Sequence, residues 1–188
     1  MLGPTMEGTL ITLAAIEPDH LPLAVGWSRD RVGMRYLGFT QPLSMADEDR
    51  WYERVAASQT DVVWSILREG RCIGFTGLHS IDWRNRRAVS GIWIGDTAQH
   101  GQGFGREAMR LRTAYAFEEL NLEKALTDIL DENVRSKRAA ISAGYRQCGL
   151  RRRHVFREGR WMDEWLGEIL REDWLAARAQ PAPPPPEL

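Results

Sequence analysis

Cysteine is nearly missing from this chain: Cys72 and Cys148 are the only two in 188 residues. So few exclude a disulfide framework and a cysteine-rich zinc site, and they fit a reducing compartment. Neither sign of charge dominates, with 25 Lys and Arg against 26 Asp and Glu and a net charge of -1. Binding to nucleic acid through bulk charge is thereby excluded. There is no run of about 18 apolar residues that would cross a membrane as a helix. The first twenty residues carry Glu7, Glu17 and Asp19 without the apolar stretch of a signal peptide. No His-x-x-x-His or His-Glu-x-x-His spacing marks a metal site. Proline is sparse until the end, where five of the nine prolines fall between 181 and 186. The expectation is a cytoplasmic protein with no metal, no membrane and no nucleic-acid partner.

What remains is ordinary globular material, 43% hydrophobic and 27% charged, in a length that suits one domain. We read residues 1–7 as a flexible leader, 8–178 as the folded domain and 179–188 as a Pro-rich disordered tail, because proline fixes φ and lacks an N–H donor. Residues 9–15 read as a strand. Pro18-Asp19 opens a helix that runs to Trp27. Residues 29–39 read as a short helix and a loop, and Ser44 with Asp47 resembles a capping box before a helix over 47–58. The pattern then turns to strands. Stretches 61–67, 72–79 and 88–95, separated by turns at 68–71 and 82–86, predict an antiparallel meander. A glycine-rich loop follows, then an amphipathic helix whose apolar stripe is Phe104, Ala108, Leu111, Tyr115 and Leu120. A short strand (124–130), a helix (133–143) ended by Gly144, a strand pair (145–157 and 160–170) turning at Glu158-Gly159, and a last helix (172–179) complete the chain. The fold class is α/β in the α+β sense: one mixed, mostly antiparallel sheet flanked by helices.

The sharpest feature is His100-Gly-Gln-Gly-Phe-Gly-Arg106, between a strand and a helix. Glycines allow a tight turn and close approach of a ligand to the backbone. The unpaired N–H groups at a helix start attract anions. A phosphate or pyrophosphate on residues 101–106 is the physical reading. A nicotinamide enzyme is one owner of such a loop, because Gly103-x-Gly105-x-x-Ala108 satisfies the relaxed dinucleotide fingerprint. The antiparallel meander before the loop speaks against it, since that fingerprint opens a βαβ unit. No Lys-Ser or Lys-Thr follows, so this is not a P-loop. A turn that merely connects two elements is the plain alternative.

Three blocks of the chain resemble the Gcn5-related N-acetyltransferase (GNAT) superfamily, and within it the branch of ribosomal-protein-alanine acetyltransferases and their small-molecule relatives. The first is His100-Gly-Gln-Gly-Phe-Gly105, where the superfamily has Arg or Gln in the place of His100. The second is Asn133-Val-Arg-Ser136 followed by Gly144-Tyr145. The third is Gly159-Arg-Trp-Met-Asp163 with Glu172-Asp-Trp174. Softer matches at Ile73-Gly74, Asp82 and Ile94-Gly-Asp96 extend the likeness over about residues 8–175. The resemblance implies a single-domain fold whose sheet splays between the fourth and fifth strands, with acetyl-CoA entering the opening as cosubstrate. Its pantetheine would lie along Ile92, Trp93 and Ile94. Its pyrophosphate would sit on Gln102, Gly103, Phe104, Gly105 and Arg106. Asn133 would hold the pantetheine arm or shape its turn. The acceptor would be a primary amine, of a protein N-terminus or a small molecule, taking the acetyl group directly. Many members place a tyrosine seven residues after the Asn as proton donor; here that position is Ala140. This branch commonly uses a serine, and Ser136 fits, with helix capping as its structural alternative. An acetyl-CoA-binding sensor without turnover is the second reading. Oligomeric state is not written in the sequence, and a homodimer is expected only because it is the commonest assembly.

The base is less defined. His79, Asp82, Asp96 and Glu164 are candidates by type, and a water relay is the alternative. Arg151-Arg-Arg153 with Arg157 and Arg160 forms a basic cluster, read as a solvated strand face. Among eight tryptophans, Trp27, Trp51, Trp83 and Trp161 suit an acceptor pocket or the core. Cys148 reads as a small apolar residue rather than a nucleophile.

Overall fold

The computed structural model describes residues 1–39 and 41–179. The expected Pro-rich tail lies outside the described residues except for Ala179, which ends the last helix. The chain opens with two short strands, β1 (Met6–Glu7) and β2 (Thr12–Ala14). A single strand over 9–15 was the expectation. It is shortened to 12–14 because the N–H groups of Thr9, Leu10 and Ile11 all turn to the carboxylate of Glu107, at 2.7–2.9 Å. The leader is not loose either. The Met1 amine donates to the carbonyls of Val55, Ser58 and Asp61. Gly3 N–H reaches Val63 O (2.8 Å), and Trp64 Nε1 donates to Pro4 O (3.0 Å). Leu2 and Gly3 thus run beside the strand at Val63, with the bare Cα of Gly3 against the Trp64 ring.

A 3₁₀ turn (Pro18–His20) leads into α1 (Leu21–Trp27), then α2 (Arg31–Met34) and α3 (Met45–Ala57). The third helix begins two residues before the expected start because Ser44 is its N-cap. Ser44 Oγ accepts from Asp47 N–H, and Asp47 Oδ2 accepts from Ser44 N–H. The meander forms as β3 (Val62–Arg68), β4 (Arg71–Asp82) and β5 (Arg87–Ile94). Its first turn, Glu69-Gly70, has both φ angles positive, as does the Glu158-Gly159 turn later in the chain. Two positive φ values give the hairpin turn whose twist matches the strands it joins. Then come α4 (Phe104–Glu118), β6 (Lys124–Leu130), α5 (Val134–Ser142), β7 (Arg146–Arg157), β8 (Arg160–Leu170) and α6 (Arg171–Ala179).

All eight strands join one sheet in the order β1-β2-β3-β4-β5-β6-β8-β7. Every pairing is antiparallel except β5 with β6. The two faces carry separate cores. One cluster gathers Trp64, Leu78, Phe117, Leu122 and Tyr145. The other packs Ile16, Leu21, Ala24 and Val55 with Val63, Cys72 and Phe75. The buried face of α4 is rotated from the expected stripe. It consists of Phe104, Ala108, Met109, Arg112, Thr113, Ala116 and Phe117, while Leu111 and Tyr115 are only partly buried. A charged and a hydroxyl residue on that face hid it from an apolar periodicity.

Candidate active site

The parallel pairing of β5 and β6 lasts three residues, from Arg87–Lys124 to Val89–Leu126. Neither strand ends there. β5 continues against β4 as far as Ile94, and β6 continues against β8 as far as Leu130. Each keeps its outer partner and loses the inner one, so the backbone of 90–94 and 127–130 faces a gap. Buried backbone groups without partners are costly, and a gap lined by them suits a ligand that can hydrogen-bond. The gap opens into a cleft of about 600 Å³. Ile92, Trp93 and Ile94 form one side, residues 127–130 the other. The loop before α4, the start of α5 and the segment 33–38 close it.

The loop is set by two left-handed glycines, Gly101 (φ 80) and Gly103 (φ 90), the latter capping α4. The first intrahelical bond is Glu107 N–H to Gly103 O at 3.0 Å. The N–H groups of Phe104, Gly105 and Arg106 therefore remain for an anion at the positive end of a 15-residue helix. A Cβ on Gly105 would come 3.8–3.9 Å from Ile92 and Ile94, so the missing side chain keeps the space between loop and strand clear. His100 Nε2 bonds Ile94 O at 2.9 Å and ties the loop to the end of β5. Arg68 braces it from outside, donating to Gln99 Oε1 and Gln102 Oε1 over the Phe104 ring. Glu107, in the first turn of the same helix, would oppose a phosphate. Its charge is instead taken up by the three N–H groups of residues 9–11. Arg106, Arg135 and Arg138 add positive charge to the cleft.

Opposite the loop, Asn133 caps α5: its Oδ1 accepts from Ser136 N–H at 3.2 Å. The capping is done by Asn133, so the Ser136 hydroxyl is not consumed by it. Both residues line the cleft.

A family model for the acetyltransferase (GNAT) domain matches residues 11–146. The chain belongs to the GNAT acetyltransferase family. It is 27% identical over 172 residues to a Bacillus subtilis (strain 168) protein called "Putative ribosomal N-acetyltransferase YdaF", covering 87% of this chain and 93% of that one. It is 24% identical over 190 residues to the FsC-acetyl coenzyme A-N(2)-transacetylase of Aspergillus fumigatus, covering 92% and 78%. Its fold superposes on the spermidine N-acetyltransferase of Vibrio cholerae, solved with CoA and spermine, with a TM-score of 0.82 and 23% identity over 89% of this chain and 99% of that one.

In this acetyltransferase all the residues singled out for cosubstrate and catalysis line one cleft: Ile92, Trp93, Ile94, Gln102, Gly103, Phe104, Gly105, Arg106, Asn133 and Ser136. The base candidates do not join them. Burial lowers the His79 imidazole pKa while the facing Asp61, 3.3 Å away, works in the opposite direction. Asp82 serves a turn, and its hydrogen bonds from the Asn85 side chain and backbone hold its carboxyl below the usual range. Asp96 caps the 3₁₀ turn Thr97–Gln99. Glu164 accepts from Arg151 at 2.7 Å. The four tryptophans do not converge either. Trp27 and Trp51 pack on the second core, Trp83 donates to Gln59 O, and Trp161 meets Phe156 edge-on on the outer hairpin. Two of the five arginines in the basic cluster are paired with carboxylates: Arg151 with Asp128 and Glu164, Arg160 with Glu132. Arg157 is buried, donating to the carbonyls of Met34 and Arg35. Cys148 is exposed rather than packed.

Sequence reasoning missed the wall at Gly33, Tyr36, Leu37 and Gly38. Arg157 fixes it from the far end of the chain, a contact with no local trace. Arg135 and Arg138 were findable: they flank Ser136 on the first turns of its helix.

Proposed function

We propose that the protein transfers an acetyl group from acetyl-CoA directly to a primary amine. The observation that carries this is the coincidence, in one cleft, of a withheld strand pairing and a glycine-capped helix start. Pantetheine carries amides that can pair with the strand edge at residues 92–94, and the pyrophosphate suits the free N–H groups of residues 104–106. The family match and the CoA-bound fold neighbour support the same cosubstrate.

The chemistry needs few groups. The amine must be neutral, so its ammonium form first loses a proton, for which a water chain is the reading left by the four remote candidates. None of those four carboxylates and imidazoles lines the cleft. The amine nitrogen attacks the thioester carbon, the C–N bond forms, and the carbonyl oxygen gathers charge that a backbone N–H of the splayed strand can stabilise. The C–S bond then breaks. The electron pair stays on sulfur, and Ser136 Oγ donates a hydrogen bond to the thiolate, or passes it a proton that is then replaced, through water, by the one leaving the nitrogen. Where Ser136 only hydrogen-bonds, the nitrogen's proton goes to water and CoA leaves as the thiolate; in either case atoms and charge balance. Membership in the ribosomal-protein branch and a cytoplasmic setting belong to the same reading. Among the described residues no helix is long and apolar enough to cross a membrane.

The test is CoA release from acetyl-CoA, followed with a thiol reagent over a panel of amines, with a no-acceptor control for the exposed Cys148 thiol. Acceptor-dependent release supports transfer. Tight acetyl-CoA binding with no release for any amine favours the sensor reading, and no acetyl-CoA binding sinks both.

A further inference from the structure

The cleft offers little to a second positive charge. Among its described lining residues the one carboxylate is Asp128, and its Oδ2 is paired with Arg151 at 3.0 Å. The carboxylates around it are committed in the same way. Glu164 pairs with Arg151, Glu132 with Arg160, Asp131 with Lys137, and Glu158 with Arg35. Asp30, next to the wall, spends an oxygen capping α2. The wall facing the strand carries Tyr36 and Leu37, and on the strand side Trp93 meets Phe39 edge-on at 5.8 Å.

We propose that the acceptor is a primary monoamine attached to an apolar or aromatic group, and that this charge arrangement excludes polyamines. The proposal rests on the acyl-transfer reading above and narrows its acceptor. The reacting amine must shed its charge, so it asks for no permanent anion. A polyamine brings further ammonium groups that stay charged and would find no uncommitted carboxylate among the described lining residues. Discrimination then comes from leaving those ammonium groups unpaired as much as from apolar contact. Free aralkylamines and uncharged peptide N-termini share this chemistry.

The experiment measures kcat/KM with the full chain at saturating acetyl-CoA. The acceptors are phenethylamine, leucine amide and short peptides beginning with apolar residues, set against spermidine, spermine and the same peptides with Lys at the second and third positions. The uncharged acceptors are expected to exceed spermidine by about 100-fold, with each added Lys lowering the peptide value several-fold. The free-amine and peptide arms separate the two sources. A second measurement uses Arg151→Ala, an exposed residue outside the proposed catalytic group. Releasing Asp128, the carboxylate that lines the cleft, should raise spermidine relative to phenethylamine by about tenfold. Spermidine acetylated as well as the monoamines, or an Arg151→Ala ratio that does not move, overturns the proposal. So does acetyl-CoA binding, seen by calorimetry, with turnover of neither class. Failure to bind acetyl-CoA refutes the acyl-transfer reading itself.

Discussion

Glu48 sits on α3 with 6% of its surface exposed. Burial pushes its carboxyl up from the usual 4.5 to about 7, and the adjacent charges of Asp47 and Asp49 push the same way. A carboxyl whose folded pKa is raised binds its proton more tightly in the native state than in the unfolded one. Its favourable contribution is complete below about pH 4.5 and is lost as pH rises through about 7. The displacement corresponds to roughly 3 kcal/mol at about 1.4 kcal/mol per pH unit. Glu48→Gln keeps the shape and removes the ionisation. At pH 5 the variant should match the parent within about 1 kcal/mol, and at pH 8.5 it should be more stable by about 3 kcal/mol. For a domain of this size that is an increase in Tm of about 5–10 °C at the higher pH alone. Thermal unfolding followed by circular dichroism at both pH values reads it directly. Asp61 and Asp82, whose carboxyls are held below the usual range, act in both proteins and cancel in the difference. Equal Tm differences at pH 5 and 8.5 would refute the burial argument.

Other expectations follow from the site. Ser136→Ala should lower kcat by about 100-fold with acetyl-CoA KM within about twofold, separable by steady-state kinetics in each substrate. Gly105→Ala adds a methyl in ordinary contact with Ile92 and Ile94, so Tm should hold while calorimetry shows acetyl-CoA affinity down by about tenfold. An unchanged affinity would remove the loop from the cosubstrate site. Gly103→Ala, at φ 90, should instead cost about 1–2 kcal/mol of stability from backbone strain, read by denaturant titration. Glu107→Ala strips the acceptor from three N–H groups. Hydrogen exchange at Thr9, Leu10 and Ile11 should accelerate, with a stability loss of about 1–3 kcal/mol.

The sequence was most readable where structure is local. The meander, the strand 124–130, the helix stop at Gly144 and the Glu158-Gly159 turn depend on periodicity and on residues that tolerate positive φ. The loop before α4 was readable for the same reason. What failed was decided at a distance. The first strand is shortened by a carboxylate nearly a hundred positions on. The leader is held by the end of α3 and by β3. Arg112 looks like a surface cation, yet it is 1% exposed, donating to Thr76 Oγ1 and Gly91 O. The candidate bases were chosen by residue type, which says nothing about the face of the sheet each one occupies. In the site, the loop and the Asn133–Ser136 pair were legible because each starts a helix. The wall at 33–38 was not, because its shape comes from Arg157 on another strand.

The short seam between β5 and β6 has a mechanical consequence. Strands β1–β5 and strands β6–β8 are two leaves stitched along their edge by three residue pairs. A molecule lying in the opening with one end on 92–94 and the other on the start of α4 would be a suture as much as a reactant. Occupancy would stiffen the whole sheet, and turnover, which leaves bare CoA in the same groove, would return the seam to its open state only when that thiol departs.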